Sequence, residues 1–389
     1  MEVLDLLSGD ARTIVEKVWA SHVHVHETDA EDAARLAGLL SFDDVDSLLT
    51  STAIRTPAVR VAQDGAVLPA SRFTRSGSTI AGQALTGLVD ARKVIDLFEG
   101  GATVVLQGLH RYWEPLAVLV AELELALGHP CQANAYLTPP GAQGFAVHSD
   151  SHDVFVFQTH GQKLWEIHPA PAETGSGTAD DGPREVLLRP GLSMYLPTGT
   201  PHAARAQESV SLHVTIGINQ LTWRTLLDRA VTQSLSGDGV DAGGHLPAGY
   251  LEDPSSLDDG LATRLRALAD SLTATDTAAL AEEQARGFLQ GRGSLLRGSL
   301  VDRLSLDEVG PDTPLRRRPG RPCVLRAQGD QVEVLLGDRV LTVPARVRDA
   351  VERVRAATTL TPSDLGLDPQ SGVVLCRRLL REGLLEVVR

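Results

Sequence analysis

The sequence predicts an α+β protein with a jelly-roll β-barrel at its centre. Three observations support this fold class: short β-rich runs crowd into residues 132–221, helical spacing precedes them, and a mixture of helical and β-like runs follows them. Many short strands at regular spacing, separated by Pro and Gly, are typical of an antiparallel sandwich or barrel. The predicted strands are residues 133–137, 145–147, 154–158, 163–167, 185–188, 193–196, 203–206 and 211–218.

Further elements are predicted on either side of these strands. The N-terminal part predicts a helix over 6–19, a hairpin over 57–68 that turns at Asp64-Gly65, and a helix over 91–98. A longer helix is predicted over 109–127, with Pro115 in its first turn, where a missing N–H costs little. The stretch 170–183, rich in Gly, Ala, Thr and Asp, is predicted to be an exposed loop.

Four regions follow from this order of elements. They are an N-terminal α/β region that completes the barrel (1–100), the barrel core (101–222), a helical region (223–312) and a winged-helix-like module (313–389). In the helical region, Leu261, Leu265, Leu268 and Leu272 recur at helical spacing, so this face could pack on the barrel or pair with a second copy. The last region predicts a hairpin over 332–343, helices over 345–356 and 371–381, and a closing strand over 384–388.

The charge balance favours a basic partner over nucleic acid. The 389 residues carry a net charge of −14, and attraction to phosphates needs a surplus of Lys and Arg. The alternative is an acidic surface that only keeps the protein soluble. Residues 315–389 hold 14 Arg against 9 Asp and Glu, which keeps nucleic-acid binding open for this region alone.

The sequence also predicts a cytoplasmic location without membrane insertion. The N-terminal residues lack a basic segment followed by an apolar run, so no signal peptide is predicted. No stretch approaches the roughly 18 apolar residues of a membrane helix. Three distant cysteines without a CxxC pair argue against both a disulfide framework and a thiolate zinc site.

The chemistry is predicted to centre on His148, Asp150 and His202. Residues two apart on a strand point to the same face, so His148 and Asp150 would project together into the barrel. His202, 54 positions after His148, precedes a predicted strand and is the best candidate for a third ligand. Two histidines and one carboxylate are the facial triad of non-haem Fe(II) oxygenases. The HxD pair alone is a weak signal, because a lone histidine is more often a hydrogen-bonded structural residue.

Several longer runs resemble the cupin-like JmjC oxygenases, and most closely their ribosomal-oxygenase branch. The matching runs are NAYLTPPGAQG at 134–144, HSDSHDVFVFQ at 148–158, GQKLW at 161–165, GLSMYLPTGTPH at 191–202 and SLHVTIG at 211–217, with GLH at 108–110 and Trp113 upstream. The resemblance is strong over about residues 90–222. The flanking helical and winged-helix-like regions fit the family's architecture only in their order and size. It implies a double-stranded β-helix core and 2-oxoglutarate as cosubstrate with O2.

The resemblance also implies roles for individual residues. Lys163 would bind the far carboxylate of 2-oxoglutarate, unless this lysine faces solvent instead. Asn134 and Tyr136 would lie near the cosubstrate or substrate, or serve only as hydrogen-bonding partners within the barrel. His213 is a candidate for contact with the cosubstrate or for a core position. His152 would be a pocket residue that is not a ligand.

Three functional hypotheses remain open at this point. The first is hydroxylation of a side chain, such as Arg or His, on a basic ribosomal protein, in a homodimer formed through the helical region. The second keeps the chemistry and changes the substrate to a peptide natural product or a small molecule. The third is a non-catalytic cupin-like binding protein, and the complete triad with Lys163 argues against it.

Alternating His22, His24 and His26 could hold a metal, but a polar strand face explains them more simply.

Overall fold

The computed structural model describes residues 2–77, 79–143, 145–169, 183–237 and 239–389. The loop predicted over 170–183 therefore lies outside the described residues, except for Pro183. Within the described part of the chain, no helix is both long and apolar enough to cross a membrane.

The N-terminal region alternates short helices and strands, as predicted. Its elements are α1 (Glu2–Ser8), α2 (Ala11–Thr13), a π-helical turn (Ile14–Val18), β1 (His24–Glu27), α3 (Ala30–Ala37), α4 (Phe42–Thr50), β2 (Val59–Gln63), β3 (Ala66–Val67), a 3₁₀ turn (Ala70–Arg72), β4 (Thr74–Arg75), β5 (Thr79–Ile80), β6 (Gln83–Ala84), β7 (Leu88–Val89) and α5 (Ala91–Glu99). The predicted helix over 6–19 is divided, because Gly9 takes a φ of 78° after α1 and Asp10 caps the following helix through the N–H of Arg12. The predicted hairpin is confirmed.

The central region holds seven of the eight predicted barrel strands. Its elements are β8 (Thr103–Leu106), a 3₁₀ turn (Leu109–Arg111), α6 (Glu114–Leu127), β9 (Cys131–Thr138), β10 (Asp153–His160), β11 (Lys163–Ile167), β12 (Arg184–Leu188), β13 (Leu192–Leu196), β14 (His202–Ala206) and β15 (Ser211–Ile218). Pro115 lies in the first turn of α6, as predicted.

The predicted strand over 145–147 is wrong. Among the described residues, this segment meets β14 at two isolated bridges, Gln143 with Arg205 and His148 with His202. Five positions separate Gln143 from His148, whereas three separate His202 from Arg205, so the spacing of the two bridges does not fit a continuous ladder. His148 and Asp150 therefore do not lie on a regular strand.

Two antiparallel sheets form the predicted jelly roll. The larger sheet has the strand order β1-β13-β10-β15-β9-β8-β2-β3, and the smaller has the order β12-β11-β14. One face of the large sheet packs against the helices, with Phe155, Phe157, Val214 and Ile216 in the main hydrophobic cluster. The opposite face meets the small sheet in a second cluster, made of Val154, Val156, Trp165, Ile167, Val186, Leu188, Met194 and Leu196. This alternation along each strand leaves room for polar side chains between the sheets.

The C-terminal part contains the predicted helices, hairpin and closing strand. Its elements are α7 (Trp223–Ser236), a 3₁₀ turn (Pro254–Leu257), α8 (Asp258–Thr273), α9 (Thr277–Gln290), α10 (Ser299–Leu304), a 3₁₀ turn (Leu306–Glu308), β16 (Leu315–Arg317), β17 (Val324–Gln328), β18 (Gln331–Leu335), β19 (Val340–Pro344), a 3₁₀ turn (Ala345–Val347), α11 (Arg348–Ala356), β20 (Thr359–Leu360), a 3₁₀ turn (Pro362–Leu365), α12 (Pro369–Arg381) and β21 (Leu385–Val387).

The chain divides into two compact units. One consists of Met1–Gln220, Leu295–Arg321 and Arg353–Arg389, and the other of Leu221–Ser294 and Pro322–Glu352. The first contains the barrel and the three-stranded sheet β20-β16-β21; the second contains α7 to α9 and the sheet β17-β18-β19. The residues of the predicted winged-helix-like module thus belong to both units, and its assignment stays a prediction.

Candidate metal centre

The two histidines of the predicted triad are joined through their backbones. The N–H of His148 donates to the carbonyl of His202 at 3.0 Å, and the N–H of His202 donates back at 2.8 Å. The centres of the two imidazole rings lie 4.5 Å apart. This one-residue ladder holds a loop histidine beside the first residue of β14, so the ligand pair does not need a regular strand.

Asp150 completes the group from the loop after His148. Its carbonyl accepts a hydrogen bond from Gly199 N–H at 2.9 Å, and its Oδ2 lies 3.8 Å from Nε2 of His202. One ligand atom from each of His148, Asp150 and His202 can be chosen so that all lie within 4.8 Å of one another. Among the described residues, no other group of three His, Cys, Asp or Glu side chains has this spacing.

Hydrogen bonds fix which ring nitrogen faces the centre. Nδ1 of His148 lies 2.9 Å from the carbonyl of Ala146, and Nδ1 of His202 lies 2.9 Å from the carbonyl of Thr200. A carbonyl can only accept, so each Nδ1 carries the hydrogen and each Nε2 keeps its lone pair, as metal-binding histidines require. Burial lowers the pKa of His202, which favours the neutral ligand form.

Asp153 holds the loop that leads to His202. This buried carboxylate accepts hydrogen bonds from the backbone N–H of Thr198 at 2.7 Å and from its hydroxyl at 2.8 Å. It also accepts a hydrogen bond from the hydroxyl of Tyr195, which itself accepts from the N–H of Ala20. The acid that follows the HxD pair in sequence therefore supports the ligand loop from outside the group of three.

A cavity of about 240 Å³ opens on the three candidate ligands. Its lining residues are Arg60, Tyr136, Phe145, His148, Asp150, Val154, Lys163, Trp165, His202, Ala204, His213 and Thr215. Phe145, His148 and Asp150 come from the segment between β9 and β10. The other side chains come from both sheets, because the inner faces of β2, β9, β10, β11, β14 and β15 all meet here.

Lys163 is one of the residues that line this cavity. Its side chain is buried, and its Nζ donates a hydrogen bond to Oγ1 of Thr138 at 3.0 Å. Oγ1 of Thr138 also accepts from the hydroxyl of Thr103 at 3.1 Å, which leaves its own hydrogen to donate elsewhere. Burial lowers the pKa of Lys163 to about 7. The alternative that Lys163 faces solvent is therefore wrong.

Tyr136 and His213 line the same cavity as Lys163 and the candidate ligands. Their rings stack with centres 4.8 Å apart and an interplanar angle of 1°. Burial, with a smaller effect of nearby Lys163, holds the pKa of His213 well below its usual value, so this imidazole is neutral. Its Nδ1 is buried and has no hydrogen-bond partner among the described residues.

Other candidate residues lie outside the cavity lining. Asn134 accepts a hydrogen bond from Gly108 N–H at 3.0 Å, and His152 packs against Gly217. His24 and His26 lie on β1, where His24 bonds to the carbonyl of Ser8 and His26 lies over Gly9.

Sequence reasoning missed several residues at the site. Thr138 and Thr215 lie two positions from Tyr136 and His213 on their strands, so strand alternation could have identified them. Arg60 and Phe145 had no comparable signal, because their place depends on pairing and loop geometry between distant segments.

Fold and site together define a jelly-roll protein in which a two-histidine, one-carboxylate group faces a cavity that a buried lysine also lines. Residues 113–226 match the model of the JmjC domain. The chain therefore carries a JmjC domain, and its relatives support the ribosomal-oxygenase branch of that family.

Among these relatives, human ribosomal oxygenase 1 is 27% identical over 241 residues, which are 57% of this chain and 36% of that protein. The "bifunctional lysine-specific demethylase and histidyl-hydroxylase NO66" of Branchiostoma floridae is 33% identical over 171 residues, which are 43% of this chain and 26% of that protein. The chain thus spans about a third or less of the length of these two curated relatives.

Solved structures of Escherichia coli YcfD share the fold over almost the whole chain. One matches with a TM-score of 0.55 at 17% identity and covers 98% of this chain and 99% of that protein. Another, of YcfD as a ribosomal oxygenase in complex with cobalt and 2-oxoglutarate, matches with a TM-score of 0.51 at 17% identity and covers 96% of this chain and 97% of that protein.

Proposed function

We propose that this chain is a 2-oxoglutarate- and Fe(II)-dependent oxygenase that hydroxylates an amino-acid side chain of a basic, ribosomal protein. The observation that carries the proposal is the combination, in one cavity, of the His148, Asp150 and His202 group with the buried Lys163. Two imidazoles and a carboxylate suit Fe(II) and leave coordination positions open. With O2 as the oxidant, bound iron and 2-oxoglutarate would supply oxidative decarboxylation to succinate and CO2, with one oxygen atom of O2 going to succinate and the other to the hydroxylated side chain.

The chain's own residues would place and shield that chemistry. His148 and His202 present Nε2, with the ring orientation set by the carbonyls of Ala146 and Thr200. Lys163 and the hydroxyl of Thr138 would hold the far carboxylate of 2-oxoglutarate. Tyr136 and His213 would lie along it, and the apolar walls exclude water. Asn134 would lie near the substrate and not near the cosubstrate, because it is outside the cavity lining.

The cofactor part of the proposal is tested spectroscopically. Without oxygen, Fe(II) and 2-oxoglutarate added together should give the wild-type protein a weak visible charge-transfer band. The band should be absent from His148→Ala. A wild-type protein without the band would refute the cofactor assignment.

The substrate part rests on the named relatives and, weakly, on the net charge of −14. Mass spectrometry of the ribosomal proteins of cells with and without this gene tests it. We expect a one-oxygen mass increment that disappears with the gene, and we propose that the enzyme meets this substrate in the cytoplasm. No difference would favour the alternative substrates, a peptide natural product or a small molecule.

We also propose a homodimer formed through the helical region. Large apolar side chains are exposed on α7 and α8: Trp223 is 80%, Leu227 64%, Leu261 56% and Leu265 55% accessible. Exposed apolar patches commonly mark protein interfaces. Light scattering should give twice the mass of one chain, and a clean monomer would reject the dimer.

For the C-terminal module we propose contact with protein, not nucleic acid. The basic run that suggested nucleic acid is engaged internally, since Arg318 pairs with Asp302 and Glu386, and Arg316 pairs with Glu386. Nη1 of Arg317 donates to the carbonyl of Arg355. Because these guanidinium groups already have partners within the chain, they do not form a row of free cations for nucleic-acid phosphates.

A further inference from the structure

Arg60 is the one charged side chain of the cavity that the proposed chemistry does not use. Its place is fixed by strand register: Arg60 on β2 pairs with Val105 on β8, Val105 pairs with Tyr136 on β9, and Tyr136 pairs with His213 on β15. Residues directly opposite across antiparallel strands point to the same face. Arg60 therefore belongs to the same row as the Tyr136 and His213 pair.

The Arg60 guanidinium is held there without a counter-ion. Its central carbon lies 5.5 Å from the centre of the Phe145 ring. Its Nε is buried and has no hydrogen-bond partner among the described residues. Among the residues that the structure describes, no carboxylate lies within ion-pair distance of the Arg60 guanidinium. Stacking on an aromatic ring orients a guanidinium but does not neutralise its charge.

The charges of the lining can be balanced against those of the proposed cofactors. Arg60 and Lys163 carry one positive charge each when protonated, and Asp150 carries one negative charge. His148 and His202 add no charge when they bind a metal through Nε2, and burial holds His213 in the neutral form. The double charges of Fe(II) and 2-oxoglutarate cancel each other. Asp150 and Lys163 cancel as well, so one positive charge is left over, at Arg60.

We infer that Arg60 is a specificity-determining residue that makes this cavity accept a neutral or acidic target side chain and reject a cationic one. The inference rests on the proposed function and narrows its substrate. A guanidinium or ammonium group beside the loaded centre would meet a like charge, whereas an imidazole, amide or carboxylate would offer an acceptor to Arg60. The partner as a whole can still be basic, because its other residues would face the acidic surface of the protein.

The test uses small probes whose side chains differ in charge. Protein loaded with Mn(II) and 2-oxoglutarate is titrated with N-acetyl, N-methylamide derivatives of Gln, Glu, Lys and Arg. Paramagnetic broadening of the probe's NMR lines reports how closely each side chain approaches the metal, without turnover. The variants are Arg60→Gln, Arg60→Lys and Arg60→Glu. Arg205→Gln is the matched control, because Arg205 is exposed on β14 and does not line the cavity.

In the wild-type protein, the Gln probe should be broadened at least about tenfold more than the Lys and Arg probes. Arg60→Lys and Arg205→Gln should keep this preference, Arg60→Gln should abolish it, and Arg60→Glu should reverse it. Equal broadening of the Gln and Arg probes by wild-type protein would overturn the inference, as would an unchanged preference in Arg60→Gln or no broadening of any probe by any variant.

Calorimetric titration with Mn(II) and then with 2-oxoglutarate precedes the probe measurement. A protein that binds both but does not discriminate between probes contradicts the role of Arg60 alone. A wild-type protein that binds neither contradicts the proposed function and this inference with it.

Discussion

Two cations, Arg318 and Lys163, are buried in the same compact unit, and their surroundings differ. Each is 3% exposed. Arg318 pairs with the fully buried carboxylate of Asp302 and, at 3.0 Å, with Glu386. Arg389 adds a second cation to Asp302 at 2.8 Å. Lys163 has the hydroxyl of Thr138 and, within the described residues, no carboxylate in ion-pair range.

The difference shows which buried charge is structural and which is prepared for a ligand. Desolvating an unpaired charge is expensive, so buried cations are ordinarily paired within the chain. Arg318 follows this rule: burial lowers its pKa, but Glu386 and Asp302 act in the opposite direction. The pKa of Lys163 falls to about 7 because nothing offsets its burial. We therefore expect the counter-ion of Lys163 to arrive with a bound acid, and the four predictions below test this contrast.

The largest effect is expected on stability at the Arg318 cluster. Asp302→Ala leaves Arg318 with a single carboxylate partner, and breaking a buried pair costs about 3–5 kcal/mol of the free energy of unfolding. Asp307→Ala is the control, because the Asp307 side chain is exposed and its carboxylate lies 3.8 Å from Arg377, whose 2.8 Å hydrogen bond to the Asp307 carbonyl the substitution leaves in place. Urea unfolding of the two variants should show a large loss for the first alone. Equal losses would mean that the cluster is not a structural pair.

The second effect is expected on binding at Lys163. Lys163→Ala removes the cation that the acid pairs with, so the Kd of 2-oxoglutarate should rise by about 100-fold or more. Binding of Mn(II) should be unchanged, because Lys163 is not a ligand. His148→Ala is the reciprocal control, and its main loss should be in the binding of Mn(II). If Lys163→Ala lost metal and 2-oxoglutarate equally, Lys163 would have no separate role in binding the acid.

Local patterns were enough to predict most of the barrel. Residues 163–167 and 211–218 form strands with the predicted bounds, because alternation and flanking Gly or polar turns are encoded within each run. His148, Asp150 and His202 were also predicted, and the structure brings them together. The expected strand geometry of the HxD pair was wrong, since two bridges of unequal spacing replace a ladder.

What could not be predicted depends on pairing between distant segments. Arg60 reaches the cavity only because β2 pairs with β8 in one register, and a shift by one residue would turn it to the opposite face. The hydrogen bonds of Asp153 to Thr198 and of Lys163 to Thr138 join residues 45 and 25 positions apart. No periodicity within a single run carries such information.

The third effect is a dependence of 2-oxoglutarate binding on pH. Burial lowers the pKa of Lys163 to about 7 in the ligand-free protein, and the acid binds the ammonium form. Above that pH the protein must take up a proton to bind, so the Kd should rise by up to about tenfold per pH unit, whereas below it the Kd should be flat. Calorimetry in buffers of different ionisation enthalpy measures the proton uptake directly. Lys163→Arg keeps its charge and should remove the dependence; an unchanged pH profile in this variant would refute the assignment.

The smallest effect is a gain in stability when the unpaired cation is removed. Lys163→Met replaces a buried charge by an apolar side chain of similar length, and should raise the free energy of unfolding of the ligand-free protein by about 1–2 kcal/mol near neutral pH. Because burial depresses the pKa of Lys163 from 10.5 to about 7, the unfolded chain binds more protons between those values. Wild-type stability should therefore rise across that window, and the advantage of the variant should shrink toward pH 10.5. Paired urea titrations at neutral and alkaline pH measure this difference. A destabilised Lys163→Met protein would mean that Lys163 is a structural cation like Arg318. The contrast between these two buried cations would then not hold.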